Sequence, residues 1–235
     1  MNNNKKFVIA LGGSIVMPGK INTILLRRFY LLINKEIKNG NRFIFIIGGG
    51  AISREYQRAI SKIKKICDED KDLIGVYATR LNAQLIKSVF KKEANPVLFD
   101  ERFKIKNFGE YSVIIASGWQ PGWSTDYVAV QIAVDFNIRK VIILGKPDYV
   151  YTADFEKDKK AKPIEIITWK DYFKLIPSKW KPGLHAPVDP VAARLAKEKN
   201  ITGIVAKGTD LVNFRKIIEG KNFKGTILTN DLSDF

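Results

Sequence analysis

Phe43-Ile44-Phe45-Ile46-Ile47 runs straight into Gly48-Gly49-Gly50, and this junction decides how the chain is read. Five apolar residues without polar alternation describe a strand covered on both faces, as in a parallel sheet flanked by helices. Glycine at the strand end lets backbone N–H groups approach an oxyanion with no Cβ in the way. A helix starting just beyond adds unsatisfied N–H donors and the positive end of its dipole. The same order occurs twice more. Phe7-Val8-Ile9-Ala10-Leu11 enters Gly12-Gly13-Ser14, and Val113-Ile114-Ile115-Ala116 enters Ser117-Gly118-Trp119-Gln120-Pro121-Gly122-Trp123 and then Ser124-Thr125-Asp126. A single glycine cluster can end a strand for geometric reasons alone. Three such junctions in one chain point to a site that handles several phosphates at once.

Outward from these junctions the order strand, helix, strand, helix repeats. Strands are predicted at about 6–11, 42–47, 95–99, 112–117, 140–145, 201–206 and 225–229. Helices are predicted at about 21–38, 51–66, 73–91, 125–137, 190–199 and 210–219. This alternation predicts an α/β fold, a three-layer α/β/α sandwich around a mainly parallel sheet. Asp189-Pro190 supplies an N-cap followed by proline at the first helical position. Between about 145 and 188 the chain is irregular and lysine-rich, with a β-hairpin expected around Asp148–Asp154 and a short helix from Thr168 through Ile176. One of Tyr149 and Tyr151 is expected in the core. No linker or low-complexity segment interrupts the sequence, so 1–235 reads as a single domain.

Composition excludes several classes of function. An apolar share of 46% is ample for a full core. No apolar run approaches the ~18 residues of a membrane span. Met1–Lys6 leads into only a short apolar stretch, which does not make a signal-peptide core. The single cysteine, Cys67, excludes an internal disulfide and a cysteine-based zinc site. Its expected role is packing on a helix, and the chain reads as cytoplasmic. The net charge of +16, from 40 lysines and arginines against 24 acids, favours anionic partners. The cations are dispersed, as at Lys62, Lys64, Lys65, Lys91 and Lys92, and no RNA-recognition signature appears. They read as a solvated surface, with neither nucleic acid nor membrane as partner.

The junctions match neither common phosphate motif. A P-loop requires G-x-x-x-x-G-K-[ST], and no lysine stands correctly after Gly12 or Gly48. A dinucleotide fingerprint requires a later glycine that Gly12-Gly13-Ser14-Ile15-Val16 lacks. Other pieces share the chain with them: Arg54, Asp72-Leu73-Ile74-Gly75, Ala78-Thr79-Arg80-Leu81-Asn82-Ala83 and Val150-Tyr151-Thr152-Ala153-Asp154. In this order the set resembles the short, archaeal-type uridylate (UMP) kinases of the amino-acid-kinase superfamily, from about residue 7 to 229.

The resemblance implies ATP-dependent phosphorylation of UMP to UDP, with an acceptor half at about 1–140 and an ATP half at about 141–235. It implies that Gly12, Gly13 and Ser14 serve the ATP phosphates, and that Gly50 and Arg54 meet the transferring phosphates. Gly49 would contact UMP and Asp72 would hold its ribose. Trp119, Gln120, Pro121, Gly122, Trp123, Ser124 and Thr125 would wrap the uridine and its phosphate. Gly145, Lys146, Tyr151 and Asp154 would take the adenosine part of ATP. Arg54, Asp126 and Lys146 would be the catalytic set, with Asp126 organising the site's cations. Mg²⁺ would be held by nucleotide oxygens and water, with no protein metal cluster. A homo-oligomer, a hexamer in this family, is also implied.

Three departures mark the chain. Where many relatives carry a first-strand lysine two residues before the Gly-Gly pair, it has Ala10, with Lys146 and Lys181 the candidates to replace that lysine. The ATP-side loop reads Gly145-Lys146-Pro147-Asp148-Tyr149-Val150-Tyr151. Trp119 and Trp123 occupy acceptor-loop positions where polar residues or histidine are common in relatives, and each either stacks on a base or fills the loop core. Asp72 and Thr125-Asp126 also read as helix caps, and a cap and a ligand draw on the same donors. His185, the only histidine, receives no role.

Overall fold

The computed structural model describes residues 4–155, 157–177 and 186–234. Strand β1 (Lys6–Leu11) leads into a four-residue helix α1 (Gly13–Val16), then α2 (Thr23–Lys38), β2 (Arg42–Ile47), α3 (Gly50–Ile63) and α4 (Asp68–Val89). After β3 (Val113–Ala116) come α5 (Thr125–Asp135), β4 (Lys140–Gly145), the short strands β5 (Val150–Tyr151), β6 (Pro163–Ile164) and β7 (Ile166–Thr168), and α6 (Trp169–Tyr172). The chain finishes with α7 (Pro190–Glu198), β8 (Thr202–Lys207), α8 (Leu211–Glu219), β9 (Thr226–Thr229) and a 3₁₀ turn at Leu232–Asp234.

The main sheet has the order β3-β2-β1-β4-β8-β9-β7. From β3 to β8 every pairing is parallel; β9 runs antiparallel to β8 and parallel to β7. The strands separate two cores because side chains alternate across the pleat. On one face Val8, Ala10, Ile44 and Ile46 pack against α5, α6 and α7. On the other Ile9, Leu11, Phe43, Phe45 and Ile47 pack against α2, α4 and α8. The expected α/β/α layering follows from two-sided burial of these strands. All parallel strands point their C-terminal ends the same way, so the glycine junctions collect at one edge, where open α/β sheets bind ligands.

The structure departs from the sequence reading at several places, each with a local cause. The strand expected at 95–99 is reduced to two isolated parallel bridges, Ala94 with Val113 and Phe99 with Ala116. Pro96 has no N–H for the ladder, and the Val97 N–H goes instead to Asn95 Oδ1 at 2.9 Å. Helix α4 starts at Asp68, ahead of the expected 73, because Cys67 Sγ accepts from Asp70 N and three acids in the first turn suit the helix dipole. Cys67 is therefore an exposed cap and not a packed helix residue. β5 pairs with β6 across a long excursion, so the hairpin near 148–154 is not a tight one. Its inward residue is Val150, while Tyr149 and Tyr151 are both half-buried, so neither tyrosine joins the core. The short helix predicted at Thr168–Ile176 contracts to Trp169–Tyr172, capped by Thr168 Oγ1 on Asp171 N at 3.0 Å.

Candidate active site

The first two glycine junctions interlock. A Cβ on Gly13 would stand 1.9 Å from Gly50 N, and one on Gly50 would stand 2.4 Å from Gly13 O. Gly50 also has φ +67°, in the left-handed region that glycine adopts without strain. Backbone thus meets backbone with no side chain between. Asn82 on α4 fastens the second junction, its Nδ2 donating to Gly48 O at 2.8 Å and Gly49 O at 2.9 Å. Those two carbonyl oxygens are thereby occupied.

A cleft of about 300 Å³ opens over these ends. It brings together ten of the expected residues: Gly13, Ser14, Gly49, Gly50, Arg54, Asp72, Trp123, Ser124, Thr125 and Asp126. Gly12 lies just behind, where its N–H donates to Leu144 O at 2.9 Å and its missing Cβ leaves room for Gly145. Lys146, Tyr151 and Asp154 do not line the cleft. Tyr151 instead donates to Asp148 Oδ1 at 2.7 Å and stacks on Phe155, and Asp154 pairs with Lys157 at 3.3 Å.

The third junction divides its two tryptophans. Trp119 is buried, donates Nε1 to Phe99 O at 3.1 Å and packs on the Phe99 ring, so it fills the loop core. Trp123 lines the cleft and leans on Tyr127. Gly118 N donates to Thr79 Oγ1 at 2.8 Å, which ties the loop to α4. Gln120, Pro121 and Gly122 stand outside the cleft lining. Gly122 N nevertheless donates to Asp72 Oδ2. Because α4 already starts at Asp68, Asp72 is an interior helix residue rather than a cap. Burial pushes the Asp72 carboxyl above the ordinary aspartate value, and the Gly122 N–H partly offsets this.

Asp189 is the functional candidate that the sequence reading did not single out as a site residue. It caps α7 as expected, Oδ1 accepting from Val191 N at 2.7 Å and Ala192 N at 3.1 Å. Its other oxygen faces the cleft and accepts from Ser124 Oγ. Ser124 in turn caps α5 by accepting from Tyr127 N at 3.0 Å. The Asp189 N–H also donates to the Asp126 carboxylate. Burial, joined by repulsion from Asp189, pushes the Asp126 carboxyl up to about 7, against the partial relief of that N–H.

Tyr172 on α6 holds this arrangement from behind. It is fully buried, accepts from Val188 N at 2.8 Å and donates to Val188 O at 2.7 Å, which fixes the backbone one residue before Asp189. Tyr172→Phe leaves a buried N–H and C=O unpaired, at about 1–3 kcal/mol for such a loss. A fall in Tm of about 2–12 °C is expected by thermal denaturation. A Tm equal to the parent's would remove Tyr172 from this role.

Residues 5–207 match the amino acid kinase family. The chain belongs to that family. Among relatives of this amino acid kinase, the uridylate kinase of Methanocaldococcus jannaschii is 33% identical, the match covering 94% of this chain and all of that one. The uridylate kinase of Methanocorpusculum labreanum is 31% identical, with 98% of each chain covered. The crystal structure of uridylate kinase from Archaeoglobus fulgidus superposes with a TM-score of 0.76 at 27% identity, covering 96% of this chain and 100% of that one.

Within this amino acid kinase, Ala10 is 2% exposed and packed in the core beneath the first junction. Of its two candidate replacements, Lys146 is exposed away from the cleft lining and Lys181 lies outside the described residues. Among the described residues, Arg54 is the only lysine or arginine lining the cleft. Among them, too, no group of three or more His, Cys, Asp or Glu side chains is placed to hold a metal ion by itself. The oxygen donors of Asp126 and Asp189 suit a hard cation such as Mg²⁺ that keeps most of its ligands on phosphate and water.

Proposed function

We infer that this amino acid kinase transfers the γ-phosphoryl group of ATP to UMP, giving ADP and UDP. The end-to-end match to uridylate kinases carries this reading. The cleft supplies a consistent chemistry. A UMP phosphate oxygen is already ionised near neutral pH, so it attacks the γ-phosphorus without a general base. The bond from that phosphorus to the β,γ-bridging oxygen breaks, and ADP leaves with the electron pair. Catalysis then consists of positioning and charge neutralisation along an in-line path.

We assign Gly12, Gly13, Ser14 and Gly50 to the donor phosphates, and Gly49, Asp72, Trp123, Ser124 and Thr125 to UMP. Arg54, at the start of α3 and on the cleft wall, would neutralise charge on the transferring group. Gly145 stands beside Gly12 at the edge nearest the expected adenosine site. Asp126 and Asp189 would stand beside nucleotide-borne Mg²⁺, which when bound supplies charge neutralisation at the phosphates. The division at about residue 140 between acceptor and ATP halves, a role in pyrimidine nucleotide biosynthesis in the cytoplasm, and a homo-oligomeric state belong to the same proposal.

Burial of Ala10, where many relatives carry a lysine, favours a second reading as a nucleotide-binding sensor without turnover. A coupled assay with ATP, Mg²⁺ and a panel of UMP, CMP, dTMP, acetylglutamate and isopentenyl phosphate separates the two. UDP formation well above background, selective for UMP, is expected. Tight binding of ATP or UMP without turnover would establish the sensor, and turnover on another acceptor would reassign the substrate.

A further inference from the structure

A second groove, of about 490 Å³, adjoins the cleft and shares Arg54 and Gln57 with it. Its other walls are Arg58, Ser61 and Lys62 on α3 and Lys71 on α4. Four of these six residues are cations and none is acidic. Arg54, Arg58 and Lys62 follow one another at four-residue spacing, which places them along one side of the helix. Each such like-charge pair disfavours the helix. Among the described residues none of the three has a carboxylate partner, and Lys71 reaches Asp68 only at 3.9 Å. Arg58 Nε instead donates to Arg54 O at 3.2 Å, which lays its side chain back toward the cleft.

A solvated surface accounts for scattered cations such as Lys91 and Lys92. It does not account for a row of repelling charges whose cleft-ward end is Arg54, the only arginine among the described residues that line the cleft. Helix α3 buries only Gly50, so these side chains are not spent on packing. We propose that the groove is a capture surface for phosphorylated nucleotides, whose phosphates Arg58, Lys62 and Lys71 attract during approach and hand to Arg54. This rests on the reading of the cleft as a nucleotide kinase site. The three outer cations act on the encounter and do not touch the seated nucleotide. A cleft lined by one sign of charge can raise association rates by about 10–10³-fold, an effect that salt screens.

Stopped-flow fluorescence tests this, since Trp123 lines the cleft and reports its filling. The probes are UMP and ATP, each mixed with the parent chain and with the double variant Arg58→Gln, Lys62→Gln, from about 0.02 to 0.5 M ionic strength. At low salt the variant is expected to associate about 5–10-fold more slowly with both nucleotides. That gap closes at high salt, while dissociation rates and kcat stay at parent values. Equal association rates at low salt would overturn the proposal. So would a change confined to dissociation or kcat, which would make the two residues contacts of the bound nucleotide. If the parent binds ATP but not UMP, the acceptor assignment fails while the ATP measurement still decides the groove. If it binds neither, both readings fall.

Discussion

Arg54→Ala is expected to lower kcat/KM for UMP phosphorylation by about 10²–10³-fold, the usual loss on removing one preorganised charge-stabilising group. The expectation rests on isolation. Among the described lining residues Arg54 is the only cation, and the first-strand position that could have carried a second is filled by buried Ala10. Among the described residues no neighbouring lysine on the cleft wall stands ready to take over. Stability should hardly change, because the side chain is exposed and no carboxylate among the described residues pairs with it. Steady-state kinetics with a parallel thermal melt checks both halves. Arg54→Lys should recover only part of the rate, since an ammonium lacks the planar fork that binds a phosphoryl group bidentately. A variant with parent kcat/KM would take Arg54 out of the mechanism and return attention to Lys146 or Lys181.

The central strands β1, β2 and β4 were legible because they carry uninterrupted apolar runs that end in glycine; such runs depend on local composition alone. The segment at 95–99 offers only Val97-Leu98-Phe99 as an apolar run and formed no ladder, because Pro96 withholds a donor and Asn95 turns the chain locally. Roles that depend on which face a side chain presents were not legible. Trp119 and Trp123 are alike in sequence, yet the first is held inward by its bond to Phe99 O while the second borders the cleft. Asp189 looked like a helix cap and is one. Its second oxygen reaches Ser124 only because α5 and α7 pack side by side, a contact 65 residues apart in sequence. The interlock of Gly13 with Gly50 is likewise a long-range fact. Each glycine announced a tight turn, and neither announced its partner.

Asp126→Asn should abolish most turnover and, at pH 8, make the protein more stable. The sign follows from the direction of the shift. The folded-state carboxyl is raised to about 7 from the ordinary 3.8, so the native state binds its proton more tightly than the unfolded chain does. Stability therefore falls as pH rises between those values, and above about 7 the native state carries the full penalty of an ionised, desolvated carboxylate facing Asp189. Asparagine cannot ionise, and its Oδ1 can still accept from the Asp189 N–H. A gain of about 2 kcal/mol is expected at pH 8, worth about 4–8 °C in Tm for a chain of this size. The gain should shrink toward nothing below about pH 3, where aspartate is largely protonated in both states. Activity moves the other way, because a neutral amide next to Asp189 halves the negative charge available to organise cations at the phosphates, and kcat is expected to drop at least about 10²-fold. Melts of both proteins across about pH 3–8, read beside kcat at pH 8, test the pair of claims together. A Tm gap that widens on acidification would contradict the assigned direction, and undiminished kcat would confine Asp126 to a structural role. A site that is most stable when its carboxylate is neutral, yet works with it charged, is held together by what it binds.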